Sequence, residues 1–224
     1  EVPIDNLIAN KTYLFFSHTI KMQKYDKKLL ETVLDKKIKL IDYEVITDLE
    51  SRRLIAFGKY AGLVGTYNAF RGWGLKNNTF DLKRPEDCFD KVDLYKELKK
   101  VVLPNNFKIV TTGDGRVSFG ALEILNELAL KQVSPEEFIR DEFDEPVFTR
   151  LKSKDFYKPK VEGTPWNTLY FYQNPEEYVS CFSDFTTSAD LYLACHYWNP
   201  KSEIILKKEN IDAKDFRIKL VADI

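Results

Sequence analysis

The stretch Phe107-Lys-Ile-Val-Thr-Thr-Gly-Asp-Gly-Arg-Val-Ser-Phe-Gly120 decides the fold, because three kinds of local sequence follow one another there. Residues 107–112 are mostly apolar or β-branched, which is typical of a buried strand. The glycine turn Gly113-Asp-Gly115 follows at once, and residues 121–130 then carry apolar side chains at helical spacing. A dinucleotide-binding βα unit needs this order, since the first glycine permits a tight turn and the second lets a pyrophosphate approach the backbone.

The match to the general dinucleotide-binding pattern is imperfect at its third glycine. Ser118 stands at that position, and a glycine, Gly120, follows two residues later. A small side chain at position 118 still allows close packing of the helix on the strand. The alternative interpretation is an ordinary strand-to-helix turn that binds nothing.

The sequence beyond the turn bears on the choice between NAD(H) and NADP(H). In a dinucleotide fold an acidic residue usually contacts the ribose about 20 residues after the first glycine. Counting from Gly113 reaches Val133 and Ser134, which are neutral, and Lys131 is nearby. We therefore expect NADP(H) or NAD(H), with NADP(H) favoured and Ser134 at the ribose.

The remainder of the chain predicts two α/β domains, of which the first is only partly present and the second is incomplete at its C-terminus. Strand-like runs occupy residues 13–16, 39–43 and 53–57, and the first of them, rich in aromatic residues, is predicted to be buried. A helical pattern occupies residues 26–37. Residues 58–74 are rich in Gly, Ala and aromatic residues, which indicates a buried helix that connects two domains. Further strands are predicted at 131–133, 190–195 and 216–224. We predict part of a substrate domain over residues 1–58 and a Rossmann-like domain over residues 59–224.

Composition limits the classes of protein that need considering. The 224 residues include 34 Lys and Arg against 35 Asp and Glu, so bulk attraction to nucleic acid is not expected. Three cysteines fit a reducing compartment. No apolar run approaches the ~18 residues of a membrane span. We expect a cytoplasmic protein without membrane or nucleic-acid partners, and the strand-like ends favour a chain truncated at both ends.

Few side chains suggest catalysis. His18 follows the first strand, where an imidazole near Lys21 can act as a proton shuttle. Glu44 ends the next strand and can orient such a base, and Arg53 can pair with a substrate carboxylate. The alternatives are a hydrogen-bonded structural histidine and a surface ion pair. No metal is predicted, because Cys181 and Cys195 lack partners at a zinc spacing.

Several stretches together resemble the saccharopine dehydrogenase family, with its lysine–2-oxoglutarate reductase half as the nearest match and alanine dehydrogenases as distant relatives. The stretches that carry the resemblance lie in the family's order: Thr12-Tyr-Leu-Phe-Phe-Ser-His-Thr-Ile-Lys21, Leu40-Ile-Asp-Tyr-Glu44, Arg52-Arg-Leu-Ile-Ala-Phe-Gly58, Ala61-Gly-Leu-Val-Gly65, Gly113-Asp-Gly-Arg-Val-Ser-Phe-Gly-Ala121 and Glu177-Tyr-Val-Ser180. The resemblance implies two α/β domains around a cleft. It also implies an NAD(P)-dependent oxidoreductase that joins an amino acid to a 2-oxo acid through a C–N bond.

The resemblance also implies roles for individual residues. His18 matches the catalytic histidine, Glu44 the acid that tunes it, and Lys21 and Arg53 the groups that hold substrate. The residues implied at the cofactor are Gly113, Gly115, Arg116 and Val117 at the pyrophosphate and Asp223 beside the nicotinamide.

Two departures from the family keep alternatives open. The family's catalytic lysine would stand directly before Glu1, so the 224-residue chain alone is expected to be inactive. Cys195-His-Tyr-Trp198 replaces a more usual Gly-Ile-Tyr-Trp-like stretch near the cofactor, which leaves the choice between NADP(H) and NAD(H) open. An alanine or opine-type dehydrogenase and a non-catalytic nucleotide-binding module therefore remain alternative interpretations.

Overall fold

The computed structural model describes residues 2–224 and divides into two compact units, Glu1–Phe57 and Gly58–Ile224. In the first, the N-terminal unit, a helix connects two parallel strands: β1 (Thr12–Phe15), α1 (Lys27–Asp35) and β2 (Lys39–Asp42). Leu29 and Val33 of α1 are buried with Leu7 and Ile38 in a small core. The apolar positions of α1 recur at helical spacing, so one face of the helix covers the strand pair.

Two predictions for the N-terminal unit are wrong. Residues 53–57 form no strand, and the backbone of Arg53 forms an isolated antiparallel bridge with that of Thr47. The Asp48 carboxylate accepts hydrogen bonds from the backbone N–H groups of Glu50 and Arg52, and this turn folds the segment back on itself. The first strand is not buried either, since Leu14 is 52% exposed.

The second, C-terminal unit is built on a five-stranded parallel sheet. Its strands are β3 (Lys108–Thr112), β4 (Lys131–Gln132), β5 (Val147–Leu151), β8 (Leu191–Ala194) and β9 (Leu220–Asp223), in the order β4-β5-β3-β8-β9. Two short antiparallel strands, β6 (Tyr157–Pro159) and β7 (Tyr178–Ser180), form a separate pair. Every residue of β3 and β8 is buried, as expected for parallel strands covered on both faces. The predicted α/β fold is confirmed.

Eight helices of this unit are described between residues 58 and 224. They are α2 (Gly58–Asn77), α3 (Lys91–Leu98), α4 (Arg116–Glu127), α5 (Pro135–Arg140), α6 (Ser153–Phe156), α7 (Thr168–Gln173), α8 (Ser183–Thr186) and α9 (Lys208–Ile211). Within residues 2–224, no helix is both long and apolar enough to cross a membrane.

The helix predicted over residues 58–74 is confirmed as α2, and its small residues allow close contact with α4. A Cβ on Gly62 would lie 1.8 Å from the carbonyl oxygen of Val117, and one on Gly120 would lie 1.9 Å from that of Lys59. No side chain fits at such distances, so both glycines are required. The contact fixes the start of α4, and hence the glycine turn, against α2.

A carboxylate ties α2, α3 and α4 together beside this contact. Glu123 of α4 lies 2.8 Å from the ammonium groups of both Lys59 and Lys91, and it accepts a hydrogen bond from the Tyr95 hydroxyl. Hydrogen bonds from Lys59, Lys91 and Tyr95 lower the pKa of Glu123 to about 2. The carboxylate therefore stays ionised well below neutral pH and stabilises the packing of the three helices.

Candidate nucleotide and substrate sites

The first glycine of the turn is held between two neighbouring strands. Gly113 has a φ of +106°, a region that residues with a side chain rarely adopt. Its N–H donates to the carbonyl oxygen of Leu151 at 2.8 Å, and a Cβ would lie 2.7 Å from the carbonyl oxygen of Cys195. Position 113 therefore requires glycine for both its backbone conformation and its contacts.

The second glycine faces open space. Gly115 caps the N-terminus of α4 with a φ of −93°, and a Cβ there would have no atom within 4 Å. The first N–H groups of this 12-residue helix have no partner within the helix, and its dipole favours an anion at this end. The turn therefore leaves room for a phosphate against the backbone, which is the role that the sequence predicts for Gly115.

An arginine that sequence reasoning missed supports the turn from β5. The Nε of Arg150 donates to the Ser118 hydroxyl at 2.9 Å and to the Gly113 carbonyl oxygen at 3.1 Å. Ser118 is fully buried, so its hydroxyl, at the position of the missing third glycine, links the helix to the sheet. Nothing in the sequence around residue 150 indicates this contact.

A cavity of about 570 Å³ opens at the glycine turn, on the carboxyl edge of the sheet. Ligands of open α/β sheets bind at this edge. The lining residues come from the turn, α6, α7 and the end of β8: Gly113, Asp114, Gly115, Arg116, Val117, Ser153, Tyr172, Cys195, His196 and Tyr197. The structure thus brings the four predicted pyrophosphate residues together on one cavity.

His196 is a lining residue to which sequence reasoning assigned no role. Its Nδ1 lies 2.7 Å from the Thr112 hydroxyl oxygen, which is itself 3.2 Å from the Tyr192 hydroxyl. Burial lowers the pKa of His196, although the charge of Asp223 acts in the opposite direction. The imidazole is therefore neutral at physiological pH. Its place directly after the predicted strand 190–195 is the signal that identifies it.

Asp223 and Ser134 lie in different surroundings. Asp223 ends β9 and pairs in register with Ala194 of β8, so it stands at the same carboxyl edge as the turn. Ser134 follows the edge strand β4, which β5 separates from β3. The Ser134 hydroxyl accepts from the Glu137 N–H at 3.2 Å and caps α5, and Ser134 does not line the cavity.

In the N-terminal unit, Glu44 brings the other predicted site residues together. Its carboxylate lies 3.0 Å from His18 Nδ1, 3.2 Å from Lys21 Nζ and 3.6 Å from Arg53 Nη1. The Glu44 side chain is only 9% exposed, whereas those of its three partners are between 42% and 47% exposed. One sheltered carboxylate thus anchors three solvent-accessible groups, which we call the Glu44 cluster.

The backbone around the Glu44 cluster fixes its geometry. His18 has a φ of +57°, which turns the chain sharply after β1. Asp42, at the end of β2, accepts hydrogen bonds from the Glu44 N–H at 2.8 Å and from the Ser17 N–H at 3.3 Å. Because β1 and β2 are parallel, these turns leave the same edge of the strand pair. This explains why residues 26 positions apart in sequence meet.

Electrostatics favour an ionised carboxylate in the Glu44 cluster. Partial burial alone would raise the pKa of Glu44, but hydrogen bonds from Lys21 and His18 outweigh it and lower the pKa below its usual value. A cavity of about 610 Å³ in the same unit is lined by Phe16, Ser17, His18 and Tyr25, among others. Of the four residues in the cluster, His18 lines this cavity.

The parallel sheet, its glycine turn and the cavity at its carboxyl edge define the C-terminal unit as a Rossmann-like α/β domain. No protein-family model matches the chain. The curated relatives that match it are large proteins, of which the chain spans about a quarter.

Several relatives are named alpha-aminoadipic semialdehyde synthase. The rat protein, named as mitochondrial, is 29% identical over 229 aligned positions that cover 93% of this chain and 25% of the relative. The bovine protein, also named as mitochondrial, is 29% identical with the same coverages, and the Arabidopsis thaliana protein is 27% identical over 93% of this chain and 23% of its own length. A solved L-alanine dehydrogenase aligns with a TM-score of 0.49 and 12% identity over 94% of this chain and 50% of its own. The resemblance predicted from the sequence motifs is confirmed by the similarity to these synthases.

Proposed function

We propose that this chain carries the nucleotide-binding domain, residues 59–224, and part of the substrate domain, residues 1–58, of an NAD(P)-dependent oxidoreductase. The reaction is the reduction of an imine between an amino acid and a 2-oxo acid, or its reverse, as in lysine–2-oxoglutarate reductases. The observation that carries the proposal is the open space at Gly115, at the start of α4 and beside a cavity of about 570 Å³. The relatedness to alpha-aminoadipic semialdehyde synthases supports the substrate class.

The residues around the glycine turn fit a dinucleotide. Gly113, Gly115, Arg116 and Val117 would hold the pyrophosphate, since backbone N–H groups, a helix N-terminus and a guanidinium all favour an anion. Asp223, at the end of β9, would lie toward the nicotinamide. The cofactor, when bound, supplies or accepts a hydride, and the protein positions it.

The Glu44 cluster suits carboxylate binding and proton transfer. Arg53 and Lys21 would bind substrate carboxylates, because Glu44 holds both cations in place while their side chains stay 42% and 47% exposed. His18 Nδ1 lies 3.0 Å from that carboxylate and 3.2 Å from Lys21 Nζ. The protonated ring can therefore donate to Glu44, and the neutral ring can accept from Lys21. His18 finds a partner in both protonation states, which suits a general acid–base.

The location of the protein in the cell is a separate matter. The cytoplasmic location expected from composition stays a prediction. The rat and bovine relatives, by contrast, are named as mitochondrial.

A substrate screen on the native protein tests the proposed activity. We expect NADPH or NADH oxidation with lysine and 2-oxoglutarate together, and none when either is omitted. Oxidation with pyruvate and ammonia instead would identify an alanine dehydrogenase-type enzyme. Nucleotide binding without turnover on any pair would identify a binding module.

A further inference from the structure

The order of the strands in the sheet differs from their order along the chain, and this decides which residues lie beside the glycine turn. The next strand along the chain after β3 is β4, but the next strand in the sheet is β5, which pairs with β3 from Lys108↔Val147 to Thr112↔Leu151. In dinucleotide folds the strand beside the glycine-turn strand ends at the adenosine ribose. That position belongs here to the residues after Leu151, not to Ser134.

A second cavity lies at that position. It has a volume of about 320 Å³, and its lining residues are Asp114, Lys152, Ser153, Lys154, Trp166, Thr168 and Tyr172. Asp114, Ser153 and Tyr172 also line the cavity at the glycine turn, so the two cavities adjoin. A ligand whose pyrophosphate lies at the turn can therefore extend into the second cavity.

The charges of this second cavity favour an anion. Lys152 and Lys154 are both exposed, and among residues 2–224 neither ammonium group has an ion-pair partner. The nearby carboxylate of Asp155 accepts a hydrogen bond from the Lys152 backbone N–H at 2.7 Å. Of the lining residues, Asp114 alone carries a carboxylate. Two lysines without a carboxylate partner suit a phosphate group.

We propose that Lys152 and Lys154 bind the 2′-phosphate of NADP(H) and give this chain its preference for NADP(H) over NAD(H). The inference rests on the proposed function, because it requires a dinucleotide on the glycine turn. Ser153 and Tyr172 complete the site, with a hydroxyl for the ribose phosphate and an aromatic face for the adenine.

The test measures NADPH and NADH affinities of the whole chain by calorimetry, for the unmodified protein and four variants. In the double variant K152A/K154A we expect the dissociation constant for NADPH to rise tenfold or more, the scale of losing a charge-assisted hydrogen bond, with NADH affinity changed less than threefold. The matched control K158A removes an exposed lysine of β6 that lines neither cavity, and it should change neither affinity. K152R should retain most of the NADPH affinity.

The fourth variant, S134D, separates the two assignments of the ribose position. If Ser134 lies at the ribose, as counting along the sequence predicts, S134D should shift the nucleotide preference toward NADH. The sheet order instead predicts an unchanged preference. The variant should fold normally, because Asp also caps helices. Equal losses of NADPH and NADH affinity in the double variant, unchanged affinities there, or a shift in S134D would each overturn the inference. An unmodified protein that binds neither nucleotide would instead refute the proposed function.

Discussion

A single methyl group should destabilise the protein strongly at one glycine of the glycine turn and have little effect at the other. At Gly113 an alanine would have to adopt a φ of +106°, and its Cβ would lie 2.7 Å from the Cys195 carbonyl oxygen. The left-handed region costs about 1–2 kcal/mol and overpacking about 1–3 kcal/mol, so Gly113→Ala should lower the free energy of unfolding by about 2–5 kcal/mol.

At Gly115 the same methyl group meets nothing. The φ of −93° suits any L-residue, and no atom lies within 4 Å of the new Cβ. Gly115→Ala should therefore change the free energy of unfolding by at most about 1 kcal/mol, because the entropy that the unfolded chain loses and the poorer N-cap preference of alanine act in opposite directions.

Thermal and urea unfolding of both variants, followed by tryptophan fluorescence, measure the difference directly. Two results would refute the reasoning: a Gly113→Ala protein as stable as the unmodified chain, or a Gly115→Ala protein destabilised as much as Gly113→Ala. Either would mean that the backbone at this turn differs from the one described.

Three further perturbations test the charged groups around Glu123 and Glu44. Because the folded-state pKa of Glu123 is about 2, its stabilisation is present above the ordinary value of 4.5 and is lost as pH falls toward 2. The Glu123 side chain is 23% exposed, and solvent screening reduces its contribution to the free energy of unfolding to about 1–2 kcal/mol. In urea unfolding, Glu123→Gln should therefore be less stable than the unmodified chain by that amount at pH 7 and equally stable near pH 2. The control Glu31→Gln, at an exposed glutamate, should show no such difference. In the native protein, His18→Ala should lower turnover by roughly 10²-fold and leave nucleotide affinity unchanged. Arg53→Ala should mainly raise the Michaelis constant of the carboxylate substrate. The reverse pattern in steady-state kinetics would mean that the two residues have each other's roles.

The sequence predicts those parts of the fold that local chemistry determines. Residues 107–120 specify a strand, a turn and a helix because β-branched residues, glycines and helical periodicity each act over a few positions. The helix over residues 58–74 is predictable for the same reason. Its small residues also indicate a close helix contact, which the structure shows between Gly62 and Val117 of α4.

What the sequence does not predict depends on contacts between distant residues. The order of strands in the sheet places Leu151, not Ser134, beside the glycine turn, and no local pattern encodes that order. The support that Arg150 gives to Ser118 joins residues 32 positions apart. The run 53–57 is apolar enough for a strand, but the turn at Asp48 sets its path.

The measurement that tests the central claim most directly is a calorimetric titration of this chain with NADPH, beside the same titration of Gly115→Val. The account predicts saturable binding at one site in the unmodified chain. It predicts no detectable binding in a Gly115→Val protein that remains folded, because the branched side chain fills the space left for the pyrophosphate. No binding to the unmodified chain, or equal binding by both proteins, would contradict it.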